Sequence, residues 1–530
     1  MTQQQAQSVP DLSRVVWHLA DAGAPLPTAF TAPPPPAAEW HLVKQNTRRT
    51  VYRVAAAGAA FFVKHDHPRR LQDRVTCLWR CKAEQEFRAG QVLAAAEVAV
   101  VRFLGWGRKG LDSFLVSEAL PGAVGFVEAW AVCRGVPARR RAFVTGLAQF
   151  LKTLSETNVD HPDLHTGNVL VTGTGEGARD EGRGAGADGG PPLSGAGVGF
   201  HLVDVYGARA GVALNRVQGL QILGLALALG RELEPAEGAA ILEPLGLSPG
   251  PAESALTAAC WRGLVHDFFR RVHQFWPGRK RRLLGASSLC EAHRTSEGRW
   301  LLRRPFPLPQ AQAAFEQHLA NVAARKDMIK DDVKRQLSRV RVGETTFVVK
   351  EFFRVPPGPD VLRPDRAAWL NAYRLEMAHV PCAACHGWLR AADGRGFLVL
   401  EDLGLRTLLA RLEERPSAAE RRRLMDGAGR LTAWLHGAGM APGDWTAANL
   451  MLASKPGFGA MPLAVVDYDR ILFYPGEVPV VRRARNLRQL LELLRPLVPA
   501  DDAARLIEVY GAEAALGEAE VAYYVASALG

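Results

Sequence analysis

Residues 161–171 read His161-Pro162-Asp163-Leu164-His165-Thr166-Gly167-Asn168-Val169-Leu170-Val171, and residues 442–452 read Pro442-Gly443-Asp444-Trp445-Thr446-Ala447-Ala448-Asn449-Leu450-Met451-Leu452. In each stretch an Asp (Asp163, Asp444) is followed five residues later by an Asn (Asn168, Asn449), then by an apolar run suited to a short β-strand. A second Asp follows a short apolar strand downstream: Asp204 after His201-Leu202-Val203, and Asp467 after Leu463-Ala464-Val465-Val466. Singly, such an Asp reads as a turn or cap residue and such an Asn as a loop amide bonded to backbone. The same order met twice in one chain argues against chance.

The repetition extends upstream. Phe61-Phe62-Val63-Lys64 and Phe347-Val348-Val349-Lys350 are apolar runs ending in Lys. Around them the chain aligns with itself without a gap at an offset of 286 residues: Lys44 falls on Lys330, Arg49 on Arg335, Arg53 on Arg339, Val54 on Val340, Phe61 on Phe347 and Lys64 on Lys350. Stacked-repeat architectures have periods of roughly 20–50 residues, so this period means tandem domains. A strand-end Lys, an Asp-to-Asn loop and a later Asp form an ordered set. Protein-kinase-type sites use that order to supply a cation for the nucleotide phosphates, a catalytic base and two metal ligands.

Composition fits this scale. A chain of 530 residues has room for about two to four domains, each able to bury its own core. Seven Cys without an even, closely spaced framework point to reduced thiols and a cytosolic compartment. The N-terminus has no basic segment followed by an apolar one, so no signal peptide is expected. The longest apolar stretch, near Leu220–Leu229, is about half of what a bilayer crossing needs and reads as a buried helix. The net charge of +11 has two readings, an Arg-rich solvated surface or attraction to anionic lipid headgroups through runs such as Arg139-Arg140-Arg141 and Arg279-Lys280-Arg281-Arg282. No zinc-finger, homeodomain or RNA-binding pattern accompanies the basic residues, so nucleic acid is not an expected partner.

Residues 1–39, with the run Pro33-Pro34-Pro35-Pro36, read as a flexible lead-in. Residues 40–284 read as a first domain and 285–530 as a second, opened by Trp300-Leu301-Leu302. Phe143, Leu147, Phe150, Leu151 and Leu154 are spaced as one helix face before the first Asp loop, and Leu424, Ala428, Leu431 and Leu435 before the second. Residues 172–199 hold 11 Gly and almost no large apolar side chain, which predicts a disordered insert at a hairpin tip. The insert lengthens the Asp-to-Asp spacing to 41 residues, against 23 in the second copy.

The chain resembles two fused domains of the lipopolysaccharide kinase family, the Kdo/WaaP-like branch of the protein-kinase-like superfamily. In the first copy the resemblance rests on Arg48-Arg49-Thr50-Val51, Phe61-Phe62-Val63-Lys64, Glu86-Phe87-Arg88-Ala89 and the Asp163–Asn168 loop. In the second it rests on Val349-Lys350, the Asp444–Asn449 loop and Asp467-Tyr468-Asp469-Arg470. It covers about residues 40–210 and 325–475. The fold it implies is α+β, two tandem bilobal kinase-like domains, each with a β-rich N-lobe and a helical C-lobe. The activity it implies is ATP-dependent phosphorylation of a sugar hydroxyl in a bacterial glycolipid, in the cytoplasm or peripherally at the inner face of the inner membrane. ATP and Mg²⁺ are the implied cofactors. Lys64 would hold the α- and β-phosphates, oriented by Glu86. Asp163 would accept the acceptor's proton, while Asn168 and Asp204 would bind Mg²⁺. Lys350, Asp444, Asn449 and Asp467 take the same parts in the second copy.

The departures bear on substrate and on which copy works. Neither N-lobe has a Gly-x-Gly-x-x-Gly loop; Thr47-Arg48-Arg49-Thr50 and Val333-Lys334-Arg335-Gln336 stand there, either to reach phosphates or as ordinary strand-edge charge. Pro162 and Gly443 replace the Arg that precedes the catalytic Asp in typical protein kinases, which favours a small-molecule or glycolipid acceptor. An aminoglycoside- or choline-like acceptor, a protein Ser/Thr acceptor and a nucleotide-binding scaffold without turnover remain alternatives. Where the first copy has Glu86-Phe87 the second has Ala368-Trp369, and Glu376, two turns on, is the nearest substitute. The first domain is therefore the expected catalyst, although Asp204-Val205-Tyr206-Gly207 is an unusual sequence there. Cys382-Ala383-Ala384-Cys385-His386 fits a haem-attachment pattern but reads better as buried thiols.

Overall fold

The computed structural model describes residues 10, 12, 14–20, 30, 39–45, 49–56, 58–68, 75, 77, 81–173, 197–212, 222, 224–225, 227–229, 232–245, 254–333, 335–353, 363–404, 406–452 and 462–529. Internal packing divides the chain into two units, one of residues 1–229 with 236–252, the other of 230–235 with 253–530. Both combine an antiparallel sheet with a following helical region.

The first unit begins with β1 (Val16–Leu19), β2 (Glu39–Gln45), β3 (Arg49–Ala56), β4 (Ala59–Asp66), helix α1 (Lys82–Ala95), β5 (Phe103–Lys109) and β6 (Asp112–Glu118). The strands form one sheet in the order β1-β5-β6-β4-β3-β2. Period-2 alternation sends Val54, Phe61, Val63, Phe114 and Val116 to one face, where Leu12 and Phe30 join them. Burying such side chains contributes roughly 1.5–3 kcal/mol each. Helix α1 buries Ala83, Glu86, Phe87, Gly90 and Leu93, a 3.6-residue stripe. Gly90 lets it approach β5, since a Cβ there would lie 2.3 Å from the Phe103 ring.

The chain continues through β7 (Val124–Gly125), α2 (Phe126–Cys133), α3 (Pro137–Glu156), β8 (Val169–Thr172) and β9 (Gly199–Leu202). Phe143, Leu147, Phe150, Leu151 and Leu154 are all buried on α3, as their spacing predicts. Phe143 and Phe150 flank Phe200 of β9 at ring separations of 5.0 and 5.7 Å, so α3 is seated against the strand that leads to Asp204.

The second unit begins with α4 (Ser254–Arg271) and α5 (Trp276–Leu283), followed by β10 (Cys290–Arg294), β11 (Gly298–Arg303), α6 (Leu308–Ala324), β12 (Met328–Asp331), β13 (Arg335–Val342) and β14 (Thr345–Phe352). Then come α7 (Pro364–Met377), β15 (Cys385–Ala391), β16 (Gly396–Glu401), α8 (Ala418–Gly437), β17 (Met440–Pro442), β18 (Leu450–Leu452), β19 (Leu463–Val465), β20 (Ile471–Phe473) and the helices α9 (Val480–Leu494), α10 (Ala500–Glu513) and α11 (Glu518–Leu529). The large sheet runs β10-β11-β15-β16-β14-β13-β12. The 286-residue offset survives in its hydrogen-bond register: Arg49 pairs with Asp66 across β3 and β4, and Arg335 pairs with Phe352 across β13 and β14. Leu424, Ala428, Leu431 and Leu435 are buried on α8, as expected.

Three boundaries differ from the sequence reading. Part of the 1–39 lead-in belongs to the fold, because β1 pairs with β5 from Val16↔Arg108 to Leu19↔Gly105. Its short alternation, Val15, Trp17 and Leu19, packs against the sheet core and outweighs the polar composition around it. Residues 254–283, assigned to the first domain, fall in the second unit. Trp369 of α7 donates its indole N–H to the Leu283 carbonyl at 3.1 Å, and His273 bonds to the Ala438 carbonyl at 2.9 Å. Thr172 and Gly199 are paired strand residues, so the Gly-rich insert is shorter than 172–199. The disorder expected for it falls on residues 174–196, outside the described ones. Of the apolar stretch near 220–229, Ile222, Leu225, Leu227 and Leu229 are buried. No helix among the described residues is long and apolar enough to cross a membrane.

Candidate functional site

In the second unit, alternation along β14 puts Phe347 and Val349 into the sheet core and Lys350 on the opposite face. Lys350 is itself buried, and its Nζ donates to Asp467 Oδ1 at 2.9 Å. Arg335, the first residue of β13, donates from Nη1 to Asp467 Oδ2, also at 2.9 Å. Both carboxylate oxygens of Asp467 therefore face a cation. Arg335 also lies 3.8 Å from Asp469 Oδ2, and its backbone N–H is accepted by Asp332 Oδ1 at 2.9 Å.

The Asp-to-Asn spacing has a local cause. After Asp444 the chain makes a single 3₁₀ turn, Ala447–Asn449, and enters β18. The Asn449 side-chain amide reaches back and donates to the Asp444 carbonyl at 3.0 Å, while the Asn449 carbonyl accepts from Val466 N at 3.2 Å. One residue thus braces the loop and ties it to the segment carrying Asp467. Its Oδ1 takes no part in that brace. Asp332, Arg335, Phe352, Asp444, Asn449, Asp467 and Asp469 line one cleft of about 780 Å³, within the size range of small-molecule sites.

Burial works against the charged form of Asp467, but Lys350 and then Arg335 outweigh it and hold its pKa at about 2. Asp469 moves upward, through burial first and then through the negative charge on Asp467. The site thus holds an ionised carboxylate beside one whose ionisation is opposed.

The first unit repeats the loop. Asn168 donates from Nδ2 to the Asp163 carbonyl at 2.9 Å, and its own carbonyl accepts from Val203 N at 3.0 Å. The charge cluster beside it is denser. Lys64 Nζ donates to Glu86, fully buried on α1, and lies 3.4 Å from Asp204 Oδ1. Arg49 donates to Asp204 Oδ1 at 2.8 Å, to both Asp66 oxygens at 2.8 and 2.9 Å, and to Glu86 Oε2 at 3.1 Å. Burial raises the Asp204 pKa, but Lys64, Arg49 and Lys82 overcome it and bring it to about 2. Asp204 has a left-handed backbone, φ +56°, uncommon for a residue with a side chain.

The structure therefore brings together Lys64, Glu86 and Asp204 in one unit, and Lys350 and Asp467 in the other. Asp444, Asn449 and Asp467 share the second unit's cleft. The Asp163 carbonyl accepts from Asn168 and its backbone N–H donates to His161 Nδ1 at 3.2 Å, while its side chain is 78% exposed and lies 3.6 Å from His165 Nε2. Glu376 does not substitute for the missing helix carboxylate, because it pairs with Arg303 at 2.5 Å. Cys382 and Cys385 are buried thiols, and His386 stacks on Phe306 at a ring separation of 5.0 Å, as the thiol reading expects.

Sequence reasoning left Asp66, Asp332 and Asp469 outside the site, and for Arg49 and Arg335 it left open whether they reach phosphates or are ordinary strand-edge charge. The signal for the two arginines was the gapless alignment, which superposes them. Asp66 and Asp332 carried no such signal.

Asp467, Asp469 and the Asn449 amide oxygen make a hard-oxygen donor set, the kind Mg²⁺ takes when one or two carboxylates are completed by waters and phosphates. Among the described residues no group of three or more His, Cys, Asp or Glu is placed to hold a metal ion. Comparison of the sequence with protein-family models and with curated proteins gives no match to either.

Proposed function

We propose that the chain is an ATP-dependent phosphotransferase built from two tandem protein-kinase-like bilobal domains, most similar to lipopolysaccharide kinases. The observation that carries the proposal is the convergence of Asp444, Asn449, Asp467, Asp469 and Arg335 on one cleft, with Lys350 behind Asp467. Sequence favours the first domain as catalyst, whereas the geometry supports the second. The second unit has an additional carboxylate, Asp469, where the first has Tyr206, and its Asp444 lines the cleft.

In this reading Lys350 and Arg335 hold the nucleotide phosphates. Asp444 accepts the proton of the acceptor hydroxyl as that oxygen attacks the γ-phosphorus, and ADP leaves. Asn449, braced on the Asp444 carbonyl, fixes the distance between base and metal ligands. Mg²⁺, held by Asn449, Asp467 and Asp469, would supply neutralisation of the phosphate charge. In the first unit Lys64 and Glu86 would hold nucleotide, with Asn168 and Asp204 as ligands and Asp163 as base, at lower or no turnover. The acceptor we propose is a sugar hydroxyl of a bacterial glycolipid, reached in the cytoplasm or at an anionic membrane surface.

The test is Mg²⁺-dependent ATP turnover on extracted lipopolysaccharide by wild type, Asp163→Ala and Asp444→Ala. Loss of a working base costs roughly 10²–10⁴-fold, and we expect it from Asp444→Ala alone. An unchanged rate in Asp444→Ala sinks the assignment. Nucleotide binding with no transfer to glycolipid, aminoglycoside, choline or peptide leaves a nucleotide-binding scaffold.

A further inference from the structure

Arg335 and Arg49 occupy equivalent positions, yet they are held differently. Arg49 is anchored by the two oxygens of Asp66, its register partner, and by buried Glu86, in addition to Asp204. The register partner of Arg335 is Phe352, whose side chain offers no acceptor, and Ala368-Trp369 stands where the first copy has Glu86. Among the contacts of Arg335, Asp467 at 2.9 Å is a close ion pair. Asp332 Oδ2 and Asp469 Oδ2 are each 3.8 Å away. The guanidinium stands at the cleft wall with its side chain 24% exposed, against 11% for Arg49.

A divalent cation on Asp467 would meet two positive neighbours, Lys350 on one oxygen and Arg335 on the other. Lys350 is confined by its burial near the end of β14. Arg335 is free of the Asp66 and Glu86 type of anchor, and a guanidinium fork matches phosphate oxygens in pairs. The turn before it carries Asp332 and Val333 and lacks the glycines whose backbone N–H groups would cradle phosphate.

We propose that Arg335 is a phosphate-positioning residue that acts by exchange. Without nucleotide it is the counter-ion of Asp467, and on nucleotide binding it transfers to the β- and γ-phosphates and releases Asp467 to the metal. The inference rests on the phosphotransfer reading of this cleft and adds the residue that couples metal entry to nucleotide entry. It confines the exchange to the second unit, because Arg49 stays with Asp66 and Glu86.

The test uses the full chain as wild type, Arg335→Gln, Arg335→Lys and Asp467→Asn. Mn²⁺ binding is counted by electron paramagnetic resonance, and adenosine and the non-hydrolysable ATP analogue AMPPNP with Mg²⁺ are titrated calorimetrically. The signal lost in Asp467→Asn defines the second-unit site. Arg335→Gln should weaken AMPPNP roughly 10- to 100-fold, leave adenosine unchanged, and tighten Mn²⁺ alone by about tenfold. Arg335→Lys should recover part of the AMPPNP affinity. The opposite signs for metal and nucleotide separate exchange from a merely structural ion pair. If Arg335→Gln shifts both ligands the same way, or neither, while wild type binds AMPPNP, the exchange is wrong and the phosphotransfer reading stands. If wild type binds no nucleotide, that reading fails and takes the exchange with it.

Discussion

Arg335 donates to Asp467 at 2.9 Å across 132 residues of chain, and Arg49 donates to Asp204 at 2.8 Å across 155. In both units a cation opening one strand of a hairpin is thereby tied to the carboxylate that follows a distant strand. The Lys two residues before the end of the neighbouring strand, Lys64 or Lys350, converges on the same carboxylate. Two strands thus converge on one acidic group, which fixes where the sheet faces the Asp-to-Asn loop. The difference between the units lies in what else holds the Arg.

That difference has a stability consequence. Arg49→Gln leaves fully buried Glu86 and nearly buried Asp66 short of a cation, and breaking such a buried cluster costs roughly 3–5 kcal/mol. Arg335→Gln leaves Asp467 its pair with Lys350 and should cost about 1 kcal/mol. Urea unfolding followed unit by unit should show the larger midpoint shift for Arg49→Gln. Equal shifts would contradict the anchoring difference.

Asn449→Asp adds a carboxylate that favours cations, yet it removes the amide N–H donated to the Asp444 carbonyl. Turnover should fall by about 10²-fold or more, because the brace that positions the base is lost. Urea stability should change little at this half-buried position. Turnover within about threefold of wild type would show that Asn449 acts through its oxygen alone.

Glu376→Gln tests the reading of α7. Glu376 is paired with Arg303 and not with Lys350, so nucleotide affinity should be unchanged and stability should fall by roughly 1 kcal/mol. A loss of nucleotide affinity without a loss of stability would restore Glu376 as the partner of Lys350.

His436 gives the second unit a pH signature. It is buried, with Nδ1 3.0 Å from the Tyr510 hydroxyl and Nε2 3.1 Å from Asn486 Oδ1. Burial, with a smaller contribution from Arg483, lowers its pKa from 6.5 to about 4 against the opposing Asn486 bond. The folded state therefore binds the proton less readily than the unfolded chain. The associated stability is fully present above about pH 6.5 and is lost as pH falls through 4, of order 3 kcal/mol. The difference in unfolding free energy between wild type and His436→Gln should shrink by that order between pH 7 and pH 4. A pH-independent difference would place a charged imidazole in the fold.

Legibility followed distance along the chain. The loop Asp163 to Asn168, and its counterpart Asp444 to Asn449, were visible because five residues suffice for the Asn amide to return to the Asp carbonyl. The helix faces of α3 and α8 were visible because their burial follows a 3.6-residue period. Lys64 and Glu86 were paired correctly, whereas Lys350 found Asp467 in place of any helix carboxylate. Composition misjudged 1–39, where Val16–Leu19 completes a sheet edge, and the 284/285 boundary, where 254–283 packs on elements far downstream.

By itself, then, the sequence determined the internal match at 286 residues, the apolar run leading to each Lys, the two Asp-to-Asn loops and the buried helix faces, all consequences of local geometry and side-chain periodicity. Tertiary structure alone decided which cation sits on which carboxylate. Asp66 beneath Arg49 and Phe352 beneath Arg335 give one guanidinium a fixed counter-ion and leave the other at a cleft wall. Charge at a site depends on which groups desolvate one another in space, and no spacing rule along the chain carries that information.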